Sequence, residues 1–291
     1  MKNNFTSPLY FFVVSLWLSS CFGSENNELE SYLPLEDCVG ISYGDTIFYL
    51  REGVDHKVLP QNMLEGTFRS LPEGLAIDPN TGEIDINASE TGLKYKIILE
   101  NEVQQTACSY TLTIAGVNYI DSPFILDQGD TKVFPTYNSS ISGVTPCDMK
   151  DHQEECHFDV KGPDGNQITD LGISVNMRNG VIDLEQTVMN GFFGRDPNNG
   201  KEIDVRMYYR LPDESANALN SIMLRFFYFE TMGDVPLELL EEIEERQAQL
   251  FGDEDFNSNP FFRRFAPRQL RLAPPSSRAR PPYLVVVSRL R

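Results

Sequence analysis

Four side chains of the kinds that bind zinc lie within an eleven-residue stretch, Cys147, His152, Cys156 and His157. Structural zinc sites usually take their ligands in closely spaced pairs, such as two cysteines separated by two residues, and this stretch contains no such pair. Adjacent residues such as Cys156 and His157 also seldom bind the same ion. The spacing therefore argues against zinc, and the export signal described below favours a disulfide between Cys147 and Cys156.

Two loops carry oxygen-bearing side chains beside a glycine, a composition that calcium-binding loops share. One loop has Asp78, Asn80 and Asp85 around Gly82, and the other spans residues 196–200. Neither has the spacing of an EF-hand loop with its distal bidentate glutamate, and ordinary turns use the same residue types. We expect turns at both places, with calcium at Asp78, Asn80 and Asp85 as the alternative.

The sequence contains no recognisable arrangement of catalytic residues. The three histidines belong to no recognisable arrangement with Ser, Cys or Asp, and the chain has neither a Gly-x-Ser-x-Gly elbow nor a glycine-rich phosphate loop. Glycosidases use a pair of carboxylates, but nothing in the spacing selects two of the 43 acidic residues. We expect a non-catalytic protein that uses no cofactor.

Charge narrows the range of partners. The formal net charge is −19 over 291 residues, which disfavours nucleic acid and anionic lipid as partners of the folded body. The segment after Phe256 is the exception, because it has no acidic residue and contains Arg263, Arg264, Arg268, Arg271, Arg278, Arg280, Arg289 and Arg291. We favour the interpretation that this segment balances the acidic helix before it; the alternative is docking on an anionic partner.

Residues 1–20 have the parts of an export signal. Lys2 is followed by the apolar stretch Leu9–Leu18, which is too short to span a bilayer as an ordinary helix. The stretch ends in Leu-Ser-Ser-Cys, with the cysteine at Cys21, and this resembles the lipobox of bacterial lipoproteins; the alternative is an ordinary secretory peptide. The resemblance implies that Cys21 becomes the lipidated first residue. Phe22 implies the outer membrane or cell surface, because an inner-membrane retention signal has Asp at that position.

The chain contains an internal repeat centred on a hairpin. Residues 71–86 return as residues 172–184 at an offset of 98, and in each copy two alternating runs flank a turn, as in half-buried strands joined by a tight turn. A second marker, Gly44-Asp45-Thr46, returns as Gly129-Asp130-Thr131 at an offset of 85, which predicts a 13-residue insertion at about residues 144–156. The aligned pairs are Gly74/Gly172, Leu75/Ile173, Ile77/Val175, Gly82/Gly180, Ile84/Ile182, Asp85/Asp183 and Ile86/Leu184.

The first copy resembles a family of Ig-like, cadherin-like β-sandwich domains of bacterial lipoproteins, whose signature is Leu-Pro-x-Gly-Leu-x-Ile/Leu-x-x-x-Thr-Gly-x-Ile. The second copy lacks the Leu-Pro and Thr-Gly pairs and joins the family through the internal alignment alone. The resemblance implies an all-β fold of two tandem sandwiches, residues 35–116 and 117–233, and implies no ligand. The matching residues are Leu71, Pro72, Gly74, Leu75, Ile77, Thr81, Gly82 and Ile84.

The repeat also assigns two cysteines to each of the two units. If Cys21 is lipidated, four cysteines remain in an oxidising compartment. Of the three possible connectivities, one respects the boundary between the two units. It pairs Cys38 with Cys108 and Cys147 with Cys156.

The C-terminal part predicts one helix and one strand. Residues 234–252 have Asp234 as a capping residue, a terminal glycine, and an apolar stripe of Leu237, Leu240, Ile243 and Leu250. Residues 253–282 are rich in Pro, Ser, Asn and Arg, which predicts an extended connector. Residues 283–291 begin with a β-branched run, which predicts a strand that returns to the second sandwich and leaves the helix as an accessory.

These observations predict a lipid-anchored envelope protein, held away from the lipid by a polar tether at residues 21–34. Its expected function is a non-catalytic binding or structural module for a protein or polysaccharide partner. The alternative is a cell-envelope carbohydrate-active hydrolase or its carbohydrate-binding accessory. A cleft with paired carboxylates, or with a histidine of shifted pKa, would favour the alternative.

Replacing Cys21 by serine should abolish lipid attachment and release the protein from membranes, because each buried methylene of an acyl chain contributes about 0.8 kcal/mol to anchoring. Mass spectrometry of the mature N-terminus and membrane fractionation measure both effects. Ser20→Ala keeps a small residue before the cysteine and should remain acylated. An unacylated N-terminus in the unchanged protein would contradict the lipobox assignment.

Overall fold

Strands make up 41% of the structure and helices 14%, so the fold is all-β as predicted. The computed structural model of the protein describes residues 36–37, 41–62, 65–101, 106–139, 147, 155–258 and 280–291. The predicted export signal and tether, with Cys21, lie outside the described residues. Within those residues, no helix combines the length and the apolar character that crossing a bilayer requires.

The first unit is a sandwich of two facing sheets. Its described strands are β1 (Glu36–Asp37), β2 (Ile47–Phe48), β3 (Lys57–Val58), β4 (Thr67–Leu71), β5 (Ala76–Ile77), β6 (Ile84–Asp85), β7 (Leu93–Asn101) and β8 (Thr106–Ile114). The larger sheet has the order β1-β8-β7-β4, with β2 also paired to β8, and the smaller sheet has the order β3-β6-β5. Phe68, Ile84 and Leu112 come from both sheets and share one buried core, as in two sheets packed face to face.

The second unit repeats this plan with additions. Its elements are β9 (Gly116–Tyr119), β10 (Ser122–Ile125), β11 (Lys132–Val133), β12 (Pro135–Asn138), β13 (His157–Val160), β14 (Ser174–Val175), β15 (Ile182–Asp183), α1 (Leu184–Met189), β16 (Lys201–Arg210), β17 (Asn220–Thr231), α2 (Leu237–Ser258) and β18 (Tyr283–Arg289). The large sheet has the order β10-β18-β17-β16-β13, the small sheet β11-β15-β14, and β12 pairs with β9. Side chains from both sheets again share one core.

The internal repeat is present in the structure, down to single hydrogen bonds. In each small sheet the middle strand begins with a fully buried isoleucine, Ile84 in β6 and Ile182 in β15. The hydroxyls of Ser89 and Thr187 are equivalent as well. Each donates to a carbonyl of the middle strand and accepts an amide of the neighbouring strand.

The turn glycines of the two copies are held in the same environment. Gly82 and Gly180 have φ angles of 69° and 71°, which favour glycine. In each copy a tyrosine hydroxyl donates to the glycine carbonyl. A Cβ atom added at these positions would lie 2.9 Å from the ring of Phe68 and 2.5 Å from the ring of Phe158. Both the conformation and the close aromatic contact therefore require glycine.

The prediction that the two Gly-Asp-Thr triplets are equivalent is wrong. Gly129-Asp130-Thr131 leads directly into β11, whose counterpart in the first unit is β3, whereas Gly44-Asp45-Thr46 precedes β2. The two triplets therefore occupy different places, and the 13-residue insertion derived from them does not hold. The extra residues lie on both sides of β13, because Phe158 of β13 takes the position of Phe68 in β4. Most of the predicted loop at 144–156 lies outside the described residues, which include only Cys147, Glu155 and Cys156 of it.

The C-terminal strand returns to the second unit, as predicted, but enters the middle of its sheet. In the first unit β2 pairs directly with β8 in parallel. In the second unit the corresponding strand, β10, pairs in parallel with β18, and β18 pairs in parallel with β17. Strand β18 is therefore an additional strand between two positions that are neighbours in the first unit.

Helix α2 is the crossover that this parallel pairing requires. Parallel neighbours such as β17 and β18 need a crossover connection, which is usually a helix. Val235, at the entry to the helix, and Leu239 and Ile243 within it pack on Phe227 and Val285, on the face of the sheet that points away from the sandwich core. The helix is therefore part of the second unit rather than the accessory that the sequence predicted.

The bounds of helix α2 differ from the prediction at both ends. Asp234 does not cap the helix, because its carboxylate accepts bonds from the amide and hydroxyl of Thr231 in a preceding 3-10 turn, Met232–Asp234. Gly252 lies inside the helix rather than ending it. An internal glycine costs about 1 kcal/mol relative to alanine, which does not stop the helix.

The buried face of helix α2 also differs from the predicted stripe. Leu237 is 62% exposed, whereas Leu239 and Ile243 are buried. The same face continues one turn further to Arg246, which is only 7% exposed. Ile243 and Leu240 of the predicted stripe do pack on the sheet, so the prediction was wrong at Leu237 and missed Leu239. A segment rich in leucine and glutamate fits more than one helical stripe.

Replacing either central isoleucine by alanine should destabilise the protein to a similar extent. Ile84→Ala and Ile182→Ala each leave a cavity in a tightly packed core, which costs about 2–5 kcal/mol in the free energy of unfolding. Urea unfolding measures the loss. Val54→Ala is the control, since Val54 is 55% exposed and an exposed substitution changes stability by about 0.5 kcal/mol or less. A small effect at only one of the two isoleucines would contradict the equivalence of the copies.

Candidate functional site

The three described cysteines are all disulfide-bonded. Cys147 and Cys156 form a disulfide with an S–S distance of 2.08 Å and a Cα–Cα distance of 5.3 Å, so neither thiolate is available to zinc. Cys108 is also disulfide-bonded. Its predicted partner, Cys38, lies outside the described residues, as does His152.

The calcium candidates take part in turns. One carboxylate oxygen of Asp78 accepts the amides of Asn80 and Thr81, and these bonds lower the pKa of Asp78. Asp85 accepts the amide of Ala88. In the second loop the side chain of Asn199 accepts a backbone amide of β17. Across the described residues, no group of three His, Cys, Asp or Glu side chains is arranged to hold a metal ion.

Two arginines of the C-terminal segment, Arg280 and Arg289, bind groups of the protein itself. Arg280 forms an ion pair with Asp121 and donates to the carbonyl of Glu242 in helix α2. Arg289 forms an ion pair with Glu230 of β17. The arginines at 263–278 lie outside the described residues.

A cavity of about 360 Å³ lies where the two units meet helix α2. The first unit contributes residues 87–91, the second unit contributes residues 219–223, and the C-terminal part contributes Arg246 and Pro281. Sites for small ligands typically have volumes of about 300–1,000 Å³. Three separate parts of the chain supply the walls, so only the complete fold forms this cavity.

Hydrogen bonds connect the two units beside the cavity. The hydroxyl of Thr91 in the first unit donates to Asn220 of the second unit at 2.9 Å and lies 3.0 Å from the hydroxyl of Tyr209. The carboxylate of Glu52 accepts a bond from Arg210 at 3.0 Å across the same boundary. The buried Thr91 network links the two walls of the cavity directly.

Two asparagines present hydrogen-bond donors to the cavity. Asn118 and Asn220 both line it and are 7% and 9% exposed. The side-chain oxygen of Asn118 accepts the amide of Tyr119, and that of Asn220 accepts the amide of Ser221 and the hydroxyl of Thr91. Their oxygens are thus occupied, and in the described structure neither NH₂ group has an acceptor. These two donors are available to a ligand.

Arg246 contributes a third donor group and a positive charge. It lines the cavity, and with 7% exposure it is more than nine-tenths buried. Within the described part of the chain, it forms no hydrogen bond and no ion pair within 4.0 Å. Burial lowers the pKa of Arg246, although the negative charges of Asp121 and Glu90 oppose this effect. None of the nitrogens of Arg246 is among the fully buried atoms of the described residues that lack a partner, so its N–H groups face the cavity and can bind an acceptor there.

Glu90 is the carboxylate in the cavity wall. Burial raises the pKa of Glu90 above its ordinary value of 4.5, and the guanidinium groups of Arg246 and Arg206 act in the opposite direction. Arg206 is exposed and donates to Ser221 at 3.1 Å. The described lining thus combines two guanidinium groups with one carboxyl group, and its net charge favours an anion.

A buried ion pair holds the C-terminal segment against this site. Asp121 is 1% exposed, and burial raises the pKa of its carboxyl group while Arg280 lowers it. The guanidinium of Arg280 also lies 3.9 Å from the ring centroid of Tyr283, a cation–π contact. The side chain of Gln247 donates to the Asp121 carbonyl. These contacts place helix α2, and with it Arg246, at the cavity.

Sequence reasoning missed every polar residue of this cavity. A signal existed for Arg246, because it follows Leu239 and Ile243 at helical spacing and so falls on the buried face. No sequence pattern marks Glu90, Asn118 and Asn220, because they come together only through the contact between the units.

Comparisons with known proteins give little information. No protein-family model and no curated protein matches the chain. Six solved chains match it, among them extracellular domains 3–5 of Drosophila OTK. That match has 9% identity and a TM-score of 0.19. It covers 64% of this chain and 65% of the other chain, which is less than two thirds of its length. A TM-score this low carries no argument about fold or function.

Glu90→Gln should change how stability depends on pH. The folded-state pKa of Glu90 is raised, so the unfolded chain loses this proton first and the protein loses stability as the pH rises from 4.5 through that raised value. Glutamine cannot ionise, so the variant should lose less stability over the same range. Urea unfolding at a series of pH values measures the difference. Glu65→Gln, at an exposed position, is the control, and its stability should depend on pH as that of the unchanged protein does. If stability depends on pH in the same way in the unchanged protein and in both variants, the raised pKa of Glu90 is contradicted.

Proposed function

We propose that the protein is a lipid-anchored cell-envelope protein that binds a protein or glycan partner without catalysing a reaction. The cavity between the units carries this proposal. It combines a volume suited to a ligand with buried donor groups that have no acceptor within the described structure. Unsatisfied donors in a preformed cavity are typical of a binding site.

The chemistry of the cavity supports binding rather than hydrolysis. A glycosidase needs two carboxyl groups on opposite sides of the bond that it cleaves. Among the described lining residues, Glu90 is the single carboxylate. Burial lowers the pKa of His56, but the imidazole lies 3.1 Å from the carbonyl of Tyr49 and is not among the lining residues. The features that would favour the hydrolase alternative are therefore not combined in this cavity.

The proposed location rests on the sequence. The lipobox resemblance at Cys21 and the polar residues 21–34 favour a protein tethered at the outer membrane or cell surface. Disulfides are typical of exported proteins, and Cys147–Cys156 is consistent with such a compartment. A tether would leave the cavity accessible to other envelope components.

Crosslinking of the intact protein in its own envelope, followed by affinity capture, tests this proposal. We expect one protein partner in fixed stoichiometry or an enriched glycan, and no new reducing ends when the purified protein is incubated with envelope polysaccharide. The Cys21→Ser variant should lose membrane association and still capture the partner in solution. Release of new reducing ends would instead favour the hydrolase.

A further inference from the structure

We propose that the cavity between the two units binds a carboxylate group, through the guanidinium of Arg246 and the side-chain amides of Asn118 and Asn220. This inference rests on the proposed binding function and names the chemical class of the ligand. The ligand is a small acid, or one acidic unit of a larger molecule, that also carries a hydroxyl or ammonium group next to its carboxylate.

The donor groups select an anion. Arg246, Asn118 and Asn220 are all at least nine-tenths buried, and all three line the same cavity. The oxygens of both amides already accept bonds from the protein, so these side chains offer only N–H groups to a ligand. A carboxylate accepts up to four hydrogen bonds and matches the planar fork of an arginine.

The charges of Asp121 and Glu90 act on Arg246, but its guanidinium forms no hydrogen bond within the described residues. The buried carboxylate of Asp121 forms its ion pair with Arg280 rather than with Arg246. Arg246 is next to Gln247 on the same helix, yet Gln247 is satisfied by the Asp121 carbonyl, whereas Arg246 has no acceptor among the described groups. A bound anion would supply acceptors for its N–H groups.

Glu90 restricts the chemical class of the ligand further. Its carboxyl group is in the wall of the same cavity as Arg246 and interacts electrostatically with it and with Arg206. An ionised Glu90 would repel a bare anion but would accept a bond from a neighbouring hydroxyl or ammonium group. Uronic acids and free amino acids both have this combination, so the ligand chemistry is shared by two sources.

Isothermal titration of the full-length mature protein with four probes tests the inference. The probes are D-glucuronate, L-alanine, methyl D-glucoside and inorganic phosphate. We expect one of the two acids to bind, and its identity distinguishes a uronic acid from an amino acid. Binding of the neutral glucoside as tightly as the acids, binding of phosphate alone, or no binding of any probe would each overturn the inference.

Two variants assign the binding to these residues. Arg246→Gln should weaken binding of the acid about tenfold or more, since a hydrogen bond to a charged group is worth that factor. Its thermal midpoint should stay the same or rise, because the substitution removes a buried charge that forms no hydrogen bond among the described residues. A large fall in thermal midpoint would mean that Arg246 is structural and would overturn its role. Asn118→Asp keeps the oxygen that accepts from Tyr119 and replaces the donor group with a second acceptor, so it should also weaken binding of the acid.

Arg69→Gln is the matched control. Arg69 is on the first unit, pairs with Glu100 at 2.6 Å, and does not line the cavity. The variant should bind the acid as the unchanged protein does. If a partner is captured from the envelope equally well by the unchanged protein and by Arg246→Gln, the carboxylate inference fails while the proposed binding function stands.

Discussion

The insertion of strand β18 between β10 and β17 is the constraint on which the second unit depends. Its residues Leu284–Val287 are fully buried, with hydrophobic side chains that pack into the sandwich core on one face and against helix α2 on the other. Each such side chain contributes about 1.5–3 kcal/mol when it is removed from water. Because β18 has a parallel neighbour on each side, its backbone N–H and C=O groups are not exposed at a sheet edge. The position of the last strand therefore determines where the helix before it must lie.

This placement of the helix produces the cavity. Because β18 runs parallel to β17, the chain must cross over the sheet, and helix α2 covers the face that would otherwise expose Phe227 and Phe229. The crossover carries Arg246 to the boundary between the units. Arg280 and Asp121 then hold the start of β18 against the helix. A site formed this way needs both units and the crossover, which explains why its polar residues are far apart in sequence.

The two copies show how a repeated framework diverges. The hairpins with Gly82 and Gly180 retain the same turn conformation, aromatic cover and hydroxyl bonds, because each of these features is required by the local packing. The parts that differ are the surroundings of β13 and the additional strand with its helix. The first unit keeps the simple sandwich, and the second unit carries the additions that complete the cavity.

The sequence by itself determined the all-β character, the hairpin repeat and the return of the C-terminal strand. The reason is local, since alternation around Ile84 and Ile182 and the β-branched run after Tyr283 encode strands without reference to distant residues. Tertiary structure alone decided that β18 enters the centre of the sheet, that Leu239 rather than Leu237 faces the core, and that Glu90, Asn118, Asn220 and Arg246 share one cavity. Strand order and burial depend on contacts between residues far apart in the chain, and neither periodicity nor composition records which of several possible partners is chosen.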